Sequence, residues 1–312
     1  MKVEYDPLPV ITSPLEAMKE STARIHAEWP NLCFAQPQIK GDAEKALREA
    51  AAVVEADFST QINHQAPLEP EATVAYMEGE GEEAELVVIG RSINIHLHMA
   101  DLQESLGYEN VRYEEAFSGG NFGQKIAMTS EAIAGAAALH FGRPVRYIPS
   151  LAESMLMSSK RHAFAMKVRL GCGEDGKLTA FTMDLTVDNG AYQIIGVAVV
   201  KRALWMLSGS YNIPNVNASA RLVYTNNPAG GAARGAGPPQ VTFALESVMD
   251  MLAEKIGMDP LEFRRINSLL PGQSVSTGMV YDEWPFPELC DAIRPAYERA
   301  KKEAAAMKAG VV

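Results

Sequence analysis

The stretch from Tyr224 to Gln240, YTNNPAGGAARGAGPPQ, constrains this chain more than any other. It holds four glycines, three prolines and a single charge, Arg234. Glycine permits positive φ and close approach of backbone to a ligand, and proline fixes the turns on either side. A lone guanidinium among small residues is a donor fork suited to an anionic or oxo group. A plain surface loop can share this composition. What argues for more is a second such loop upstream, Ser118 to Lys125 (SGGNFGQK), which feeds directly into a helix-forming run.

At 312 residues the chain can bury a sizeable core, and its length allows one to three domains. Its 28 basic and 39 acidic side chains give a net charge of −11, which argues against nucleic acid and anionic membranes as partners. A phosphate-bearing cofactor stays compatible, because backbone N–H groups and a few arginines supply local donors. Cys33, Cys172 and Cys290 are scattered and form no CxxC pair. Neither a zinc or iron–sulfur site nor a disulfide framework is therefore expected, which fits a reducing compartment. The N-terminus has no apolar signal core and no apolar run reaches membrane-spanning length, so a cytoplasmic location is expected.

Ser13-Pro14-Leu15-Glu16 offers a cap, an N1 proline and an acidic first turn for a short helix. Asp42 to Ala56 has helical periodicity, with Val53, Val54 and Phe58 favouring a strand. Asn63 to Glu71 is a polar loop, and strands follow at Thr73–Met77 and Leu86–Ile89 around an acidic turn. His96 and His98 share a face only on a strand; without a carboxylate or cysteine at ligand spacing they read as a structural pair, and His64 as a loop hydrogen-bonder. Thr129 to Phe141 is a helix that Thr129 or Ser130 can cap and Gly142 stops. Lys125 invites a P-loop reading, but GxxxxGK[ST] is absent. Gly171, Gly173 and Gly176 match GxGxxG, yet alternating residues follow, so Met166–Tyr192 is a hairpin and not a dinucleotide site.

Helices are expected at Lys201–Leu207 and Gln240–Gly257, with a strand at Ala220–Tyr224 between them and a short helix capped by Asp259-Pro260. The fold class is α+β, mixed sheets with packed helices. The expected layout is a lead-in segment over 1–30, a domain over 31–270 of two α/β subdomains dividing near 150, and a linker and helix over 271–312, with Pro295 inside the helix.

Together the two loops resemble the xanthine oxidase (molybdenum hydroxylase) family. SGGNFGQK is similar to its GGxFGxK loop, and TNNPAGGAARGAGPPQ to its TNxPxxGAxRGxGxPQ loop. NHQAPLEPE, GRPVRY, RALWML followed by YNIPN, and EKIGMDPLEFRRIN extend the likeness over almost the whole chain, nearest to the bacterial molybdopterin-dependent aldehyde oxidoreductases. The resemblance implies a molybdenum–molybdopterin cofactor, the cytosine dinucleotide form being one option, with the metal held by the pterin and by no side chain. It implies oxidation of aldehydes to carboxylic acids by hydroxylation with water-derived oxygen on the metal, and electrons leaving through iron–sulfur clusters on other domains or a partner subunit.

By motif position the resemblance sets Gly120, Phe122, Gly123, Arg234, Gly235 and Ala236 at the cofactor, Phe122 and Gly123 through their backbone N–H groups. Arg91 falls where relatives often carry a glutamine near the metal, and Arg202 where purine hydroxylases orient substrate. Arg234 and Arg202 are the catalytic candidates, and Ile126, Ala233 and Ala236 surround the substrate. Alternatives are a purine or N-heterocycle hydroxylase, and a non-catalytic fragment that binds no cofactor alone. The family's catalytic glutamate belongs to a second molybdopterin-binding half. The implied partners are therefore that C-terminal half, iron–sulfur domains or subunits and a small aldehyde; a homodimer of the complete enzyme is allowed, and this chain alone is expected to be inactive.

Overall fold

The computed structural model describes residues 2–308. Helix α1 (Pro14–Ala17) starts where the Ser13 hydroxyl accepts the Glu16 N–H at 3.3 Å. β1 (Leu32–Lys40), α2 (Ala43–Glu49) and β2 (Ala52–Thr60) follow. The helical period over Asp42–Ala56 thus breaks after Glu49, because Val53, Val54 and Phe58 suit a pleated surface and pair with a neighbouring strand.

β3 (Thr73–Glu78), β4 (Glu85–Gly90), α3 (Ile95–Leu106), β5 (Val111–Glu115), α4 (Ser130–Phe141) and β6 (Val145–Tyr147) build the smaller sheet. Its order is β5-β4-β3-β6, with β4 and β5 parallel and joined through α3. Leu86, Val88, Leu102, Ala134 and Ala138 form its core. Helix α4 lies close because its inner face is small: a side chain at Gly135 would meet Leu106 Cδ1 at 3.0 Å. The stretch holding His96 and His98 is helix and not strand, so the two side chains point apart. His98 is buried against the Ile126 carbonyl at 3.0 Å, while His96 faces outward.

α5 (Leu151–Met157) and the two-residue β7 (Lys160–Arg161) lead back to the larger sheet. β8 (Phe164–Cys172), β9 (Leu178–Gly190) and, beyond α6 (Gly196–Trp205), β10 (Asn215–Tyr224) complete it in the order β1-β10-β9-β8-β2. β9 and β10 are parallel and the other pairs antiparallel. The expected hairpin is present, Leu170 opposite Phe181, so its GxGxxG is a turn. Phe164, Met166, Val168, Leu170 and Cys172, at period two, are buried in the main core with α7 (Pro238–Ile256). The short β11 (Gly230–Gly231) precedes α7, and α8 (Pro260–Ile266) and α9 (Phe286–Lys308) follow it.

Asp259 caps α8 by accepting the Leu261 and Glu262 N–H groups at 3.0 and 3.1 Å. The smaller sheet ends at Tyr147, while the larger one takes β1 and β2 from before it and three strands from after it. The two cores are therefore nested in sequence, the smaller inserted between β2 and β8. Among the described residues no helix is long and apolar enough to cross a membrane.

Candidate functional site

The two glycine-rich loops meet backbone to backbone. The Arg234 N–H donates to the Phe122 carbonyl at 2.8 Å, and a Cβ at Gly123 would lie 2.8 Å from the Ala232 carbonyl carbon and oxygen. Only glycine allows that approach, and Gly123 also has φ of 96°. Phe122 and Ala236 hold φ of 51° and 43°, left-handed values that cost a non-glycine residue about 1–2 kcal/mol. Such strain persists where surrounding contacts over-determine the backbone.

Two further segments supply those contacts. Lys160 and Arg161 pair in parallel with Gly230 and Gly231, and the Lys160 N–H donates to the Ala229 carbonyl at 3.0 Å. The Arg161 N–H donates to the Asn63 carbonyl at 2.8 Å, the Arg161 guanidinium to the Arg234 carbonyl at 2.9 Å, and the Gln65 amide to the Ala232 carbonyl. His162 packs where any Cβ on Gly230 would stand, and burial holds its imidazole neutral, down to about 4. His64 is oriented by its neighbours: Nδ1 accepts the Ala66 N–H at 2.9 Å, so Nε2 donates to the Ser158 hydroxyl at 2.9 Å. Burial first, then the Lys160 charge, lowers its pKa. Both ring nitrogens are engaged, which leaves His64 in the hydrogen-bonding role expected of it.

The joined loops separate two clefts, with Phe122, Ala233 and Arg234 shared by both. The first, about 440 Å³, is the more polar of the two and is completed by Asn63, His64, Gln65 and Arg161. Two of its lining residues carry buried atoms, Gln65 Oε1 and Arg161 Nη1, that have no hydrogen-bond partner among the described residues. The second, about 430 Å³, is largely apolar: Ile93, Ile126, Ile195, Ala198, Val199 and Ala236 line it, with Gly123, Gly235, Asn94 and Arg202. The guanidiniums of Arg234 and Arg202 are exposed, and among the described residues neither meets a carboxylate within 4 Å.

Arg91 and Gly120 line neither cleft. Arg91 pairs with Glu69 at 2.8 Å and donates to the Phe117 carbonyl at 2.9 Å. Glu69 also accepts Lys125 Nζ at 2.8 Å and the Gly119 N–H at 2.6 Å, so one carboxylate anchors both ends of the loop. Of the two amides expected to face a ligand, that of Gly123 already donates to Asn121 Oδ1 at 2.8 Å. Gln65 and Arg161 had no periodic or motif signal of their own; Gln65 sits inside NHQAPLEPE, and Arg161 in an unremarked SSKRH run. Among the described residues no group of three or more His, Cys, Asp or Glu side chains could hold a metal ion.

This combination of a small βαβ-containing sheet, a five-stranded sheet and two interlocked glycine loops has counterparts. The sequence pattern of the molybdopterin cofactor-binding domain matches residues 25–268, and the chain belongs to that family. It is 37% identical to the aldehyde oxidoreductase of Megalodesulfovibrio gigas over 98% of this chain and 34% of that protein. It is 34% identical to the nicotinate dehydrogenase large molybdopterin subunit of Eubacterium barkeri, covering 90% of this chain and 65% of that one. A solved aldehyde oxidoreductase from Desulfovibrio gigas superposes with a TM-score of 0.93 at 36% identity, over 97% of this chain and 34% of that one. The chain therefore spans about a third of the aldehyde oxidoreductases it matches.

Proposed function

We propose that this chain forms part of the active site of a molybdopterin-dependent aldehyde oxidoreductase, with the polar cleft facing the cofactor and the apolar cleft receiving the substrate. The observation that carries the reading is the Arg234 guanidinium, which among the described residues has no carboxylate partner and lies on the wall between the clefts, in a loop held by the Arg234 N–H to Phe122 carbonyl bond. The residues present fit such a group. Its oxo, dithiolene and phosphate oxygens and sulfurs accept hydrogen bonds, which suits Arg234 and the unpartnered Arg161 Nη1, and the unpartnered Gln65 Oε1 suits a pterin N–H. When bound, the molybdenum centre supplies the two-electron oxidation and oxygen transfer that side chains lack. The protein's part is to hold rigid donors at little reorganisation cost and to shape an apolar seat beside them.

In this reading Arg234 fixes the cofactor, and Phe122, Gly123, Gly235 and Ala236 form the wall against which the substrate lies. Ile126, Ala233 and Ala236 leave the second cleft largely apolar, with Phe122 as an aromatic in its lining. The cytosine dinucleotide form, iron–sulfur electron acceptors on further domains or subunits, and inactivity of this chain without the rest of the enzyme belong to the same proposal. A reducing, cytoplasmic setting belongs to it as well, resting on three free thiols.

The likeness to a nicotinate dehydrogenase supports a second reading, hydroxylation of an N-heterocycle. A purine edge set against Ile126 would lose its hydrogen bonds at about 1–3 kcal/mol per unsatisfied group, a factor of about 5–150 each. The test is kcat/KM for benzaldehyde, acetaldehyde and xanthine in the complete enzyme. The aldehydes are expected to be preferred by at least about tenfold, and Ala236→Phe to change the benzaldehyde-to-acetaldehyde ratio. Preference for xanthine would overturn the aldehyde reading.

A further inference from the structure

His98 lines neither cleft, yet it is tied to the backbone of a residue that lines one of them. It is fully buried on α3, with its ring edge-on to Tyr113 at 5.9 Å between centres. Nε2 lies 3.0 Å from the Ile126 carbonyl. A carbonyl only accepts, so Nε2 carries the proton and Nδ1 is a bare acceptor. Nδ1 has no hydrogen-bond partner among the described residues. The imidazole is therefore spent on Ile126. An aliphatic side chain would fill the same space without orphaning a nitrogen, so packing alone does not account for a histidine here.

The Ile126 backbone needs such a tie. Its turn, Gln124–Ile126, is closed by the Ile126 N–H to the Gly123 carbonyl and the Ala127 N–H to the Gln124 carbonyl, both at 3.4 Å, longer than an ordinary backbone hydrogen bond. Lys125 leaves helical dihedrals inside it, at φ −81° and ψ 24°. The described residues offer the Ile126 carbonyl no donor other than His98. A second bond runs beside it, from the Ile93 N–H to the Lys125 carbonyl at 3.3 Å. His98 stands one helical turn after Asn94, whose carbonyl accepts the His98 N–H at 3.1 Å. The start of α3 is thus clamped to the turn, and the residues so joined, Ile93 and Asn94 with Gly123 and Ile126, all line the apolar cleft.

We propose that His98 is a positioning residue for substrate selection: through the Ile126 carbonyl it holds the wall made by α3 and the Gln124–Ile126 turn in place, and so sets which aldehydes the cleft accepts. The inference rests on the apolar cleft being the substrate seat. Its chemistry is binding alone, since the imidazole reaches no reacting atom. A loosened wall costs most for a ring-bearing substrate, which lies against it, and least for a small one.

The test compares the complete enzyme as wild type, His98→Gln, His98→Asn and His98→Phe. Glutamine places an N–H at the reach of Nε2, asparagine is too short, and phenylalanine keeps a ring without the donor. The readouts are KM and kcat for benzaldehyde and acetaldehyde, melting temperature, and the Kd of benzamide, which resembles benzaldehyde and has no formyl hydrogen to lose. His98→Phe and His98→Asn are expected to raise the benzaldehyde KM and the benzamide Kd about tenfold, the lower end of the effect of a misfitted methylene, with kcat kept and the acetaldehyde KM within about twofold. His98→Gln is expected to stay within about twofold of wild type throughout. A lowered melting temperature in His98→Phe and His98→Asn with benzaldehyde KM and benzamide Kd unchanged would overturn the positioning role. So would a loss in His98→Gln as large as in His98→Asn, or no benzamide binding by wild type. If His98→Phe does not fold, His98→Gln against His98→Asn decides on the same terms. If benzamide affinity follows the expected order while the enzyme oxidises neither aldehyde, the positioning role stands and the aldehyde reading falls.

Discussion

Replacing Glu69 with alanine is expected to destabilise the protein by about 3–5 kcal/mol, the usual result of stripping one partner from a buried ion pair. The Lys125 side chain is only 1% exposed, and Glu69 is its carboxylate at 2.8 Å. The same carboxylate holds Arg91 and the Gly119 N–H, so its loss frees both ends of the Ser118–Lys125 loop. A double variant, Glu69→Ala with Lys125→Met, is expected to recover much of the loss, because the uncompensated charge is gone. Urea denaturation of the three proteins at neutral pH measures this. Equal stability of wild type and Glu69→Ala would show that Lys125 finds water or another acceptor.

The same pair sets a pH dependence. Burial raises the Glu69 pKa, but the Lys125 and Gly119 hydrogen bonds and the Lys125 and Arg91 charges outweigh it, and the net shift is downward. A carboxylate with a lowered folded pKa contributes stability that is present above its unfolded value and lost as pH falls through the folded one. Wild type is therefore expected to lose stability in the acid range below the ordinary glutamate value, and Glu69→Gln to show a flatter profile there.

The second large effect is expected at Gly237. Its φ of 106° is foreign to side-chain-bearing residues, and a Cβ there would fall well inside contact with the Val199 carbonyl oxygen and 3.1 Å from the Ala203 nitrogen. Both opposing atoms belong to the α6 backbone and cannot rotate away. Backbone strain of about 1–3 kcal/mol and overpacking of about 1–3 kcal/mol together predict a loss of several kcal/mol for Gly237→Ala. The displacement would also part the Arg234 loop from α6, so ligand binding in the apolar cleft should fail along with stability. A Gly237→Ala protein with unchanged melting temperature and unchanged ligand binding would contradict this packing account.

These residues also mark how far the sequence could be read. In the larger sheet the β8–β9 hairpin was legible because Phe164 to Cys172 alternates, while β1 drew no expectation and β2 was hidden by the helical period before it; α4 and α8 were legible because Gly142 and Asp259 punctuate them. Helix α6 was placed late, at Lys201, because Val197, Val199 and Val200 mask its first turn; Gly196 starts it where a Cβ would meet Leu222 at 2.8 Å. The element carrying His96 and His98 was not legible, because a spacing of two does not by itself distinguish helix from strand. At the site, both glycine loops stood out by composition. Gln65, Arg161 and Glu69 act across 167, 73 and 56 positions of sequence, and no local pattern encodes such partners.

The most direct test of the central claim is molybdenum and pterin analysis of the protein purified with the rest of its enzyme, as wild type and as Arg234→Lys. Lysine keeps the charge and loses the planar fork, at a cost of about 1.5–3 kcal/mol for one charge-assisted hydrogen bond. Stoichiometric molybdenum and pterin in wild type, with both content and kcat/KM for aldehyde reduced about tenfold or more in Arg234→Lys, is the result predicted here. Wild-type protein free of molybdenum, or an Arg234→Lys protein with full metal content and full kcat/KM, would contradict it.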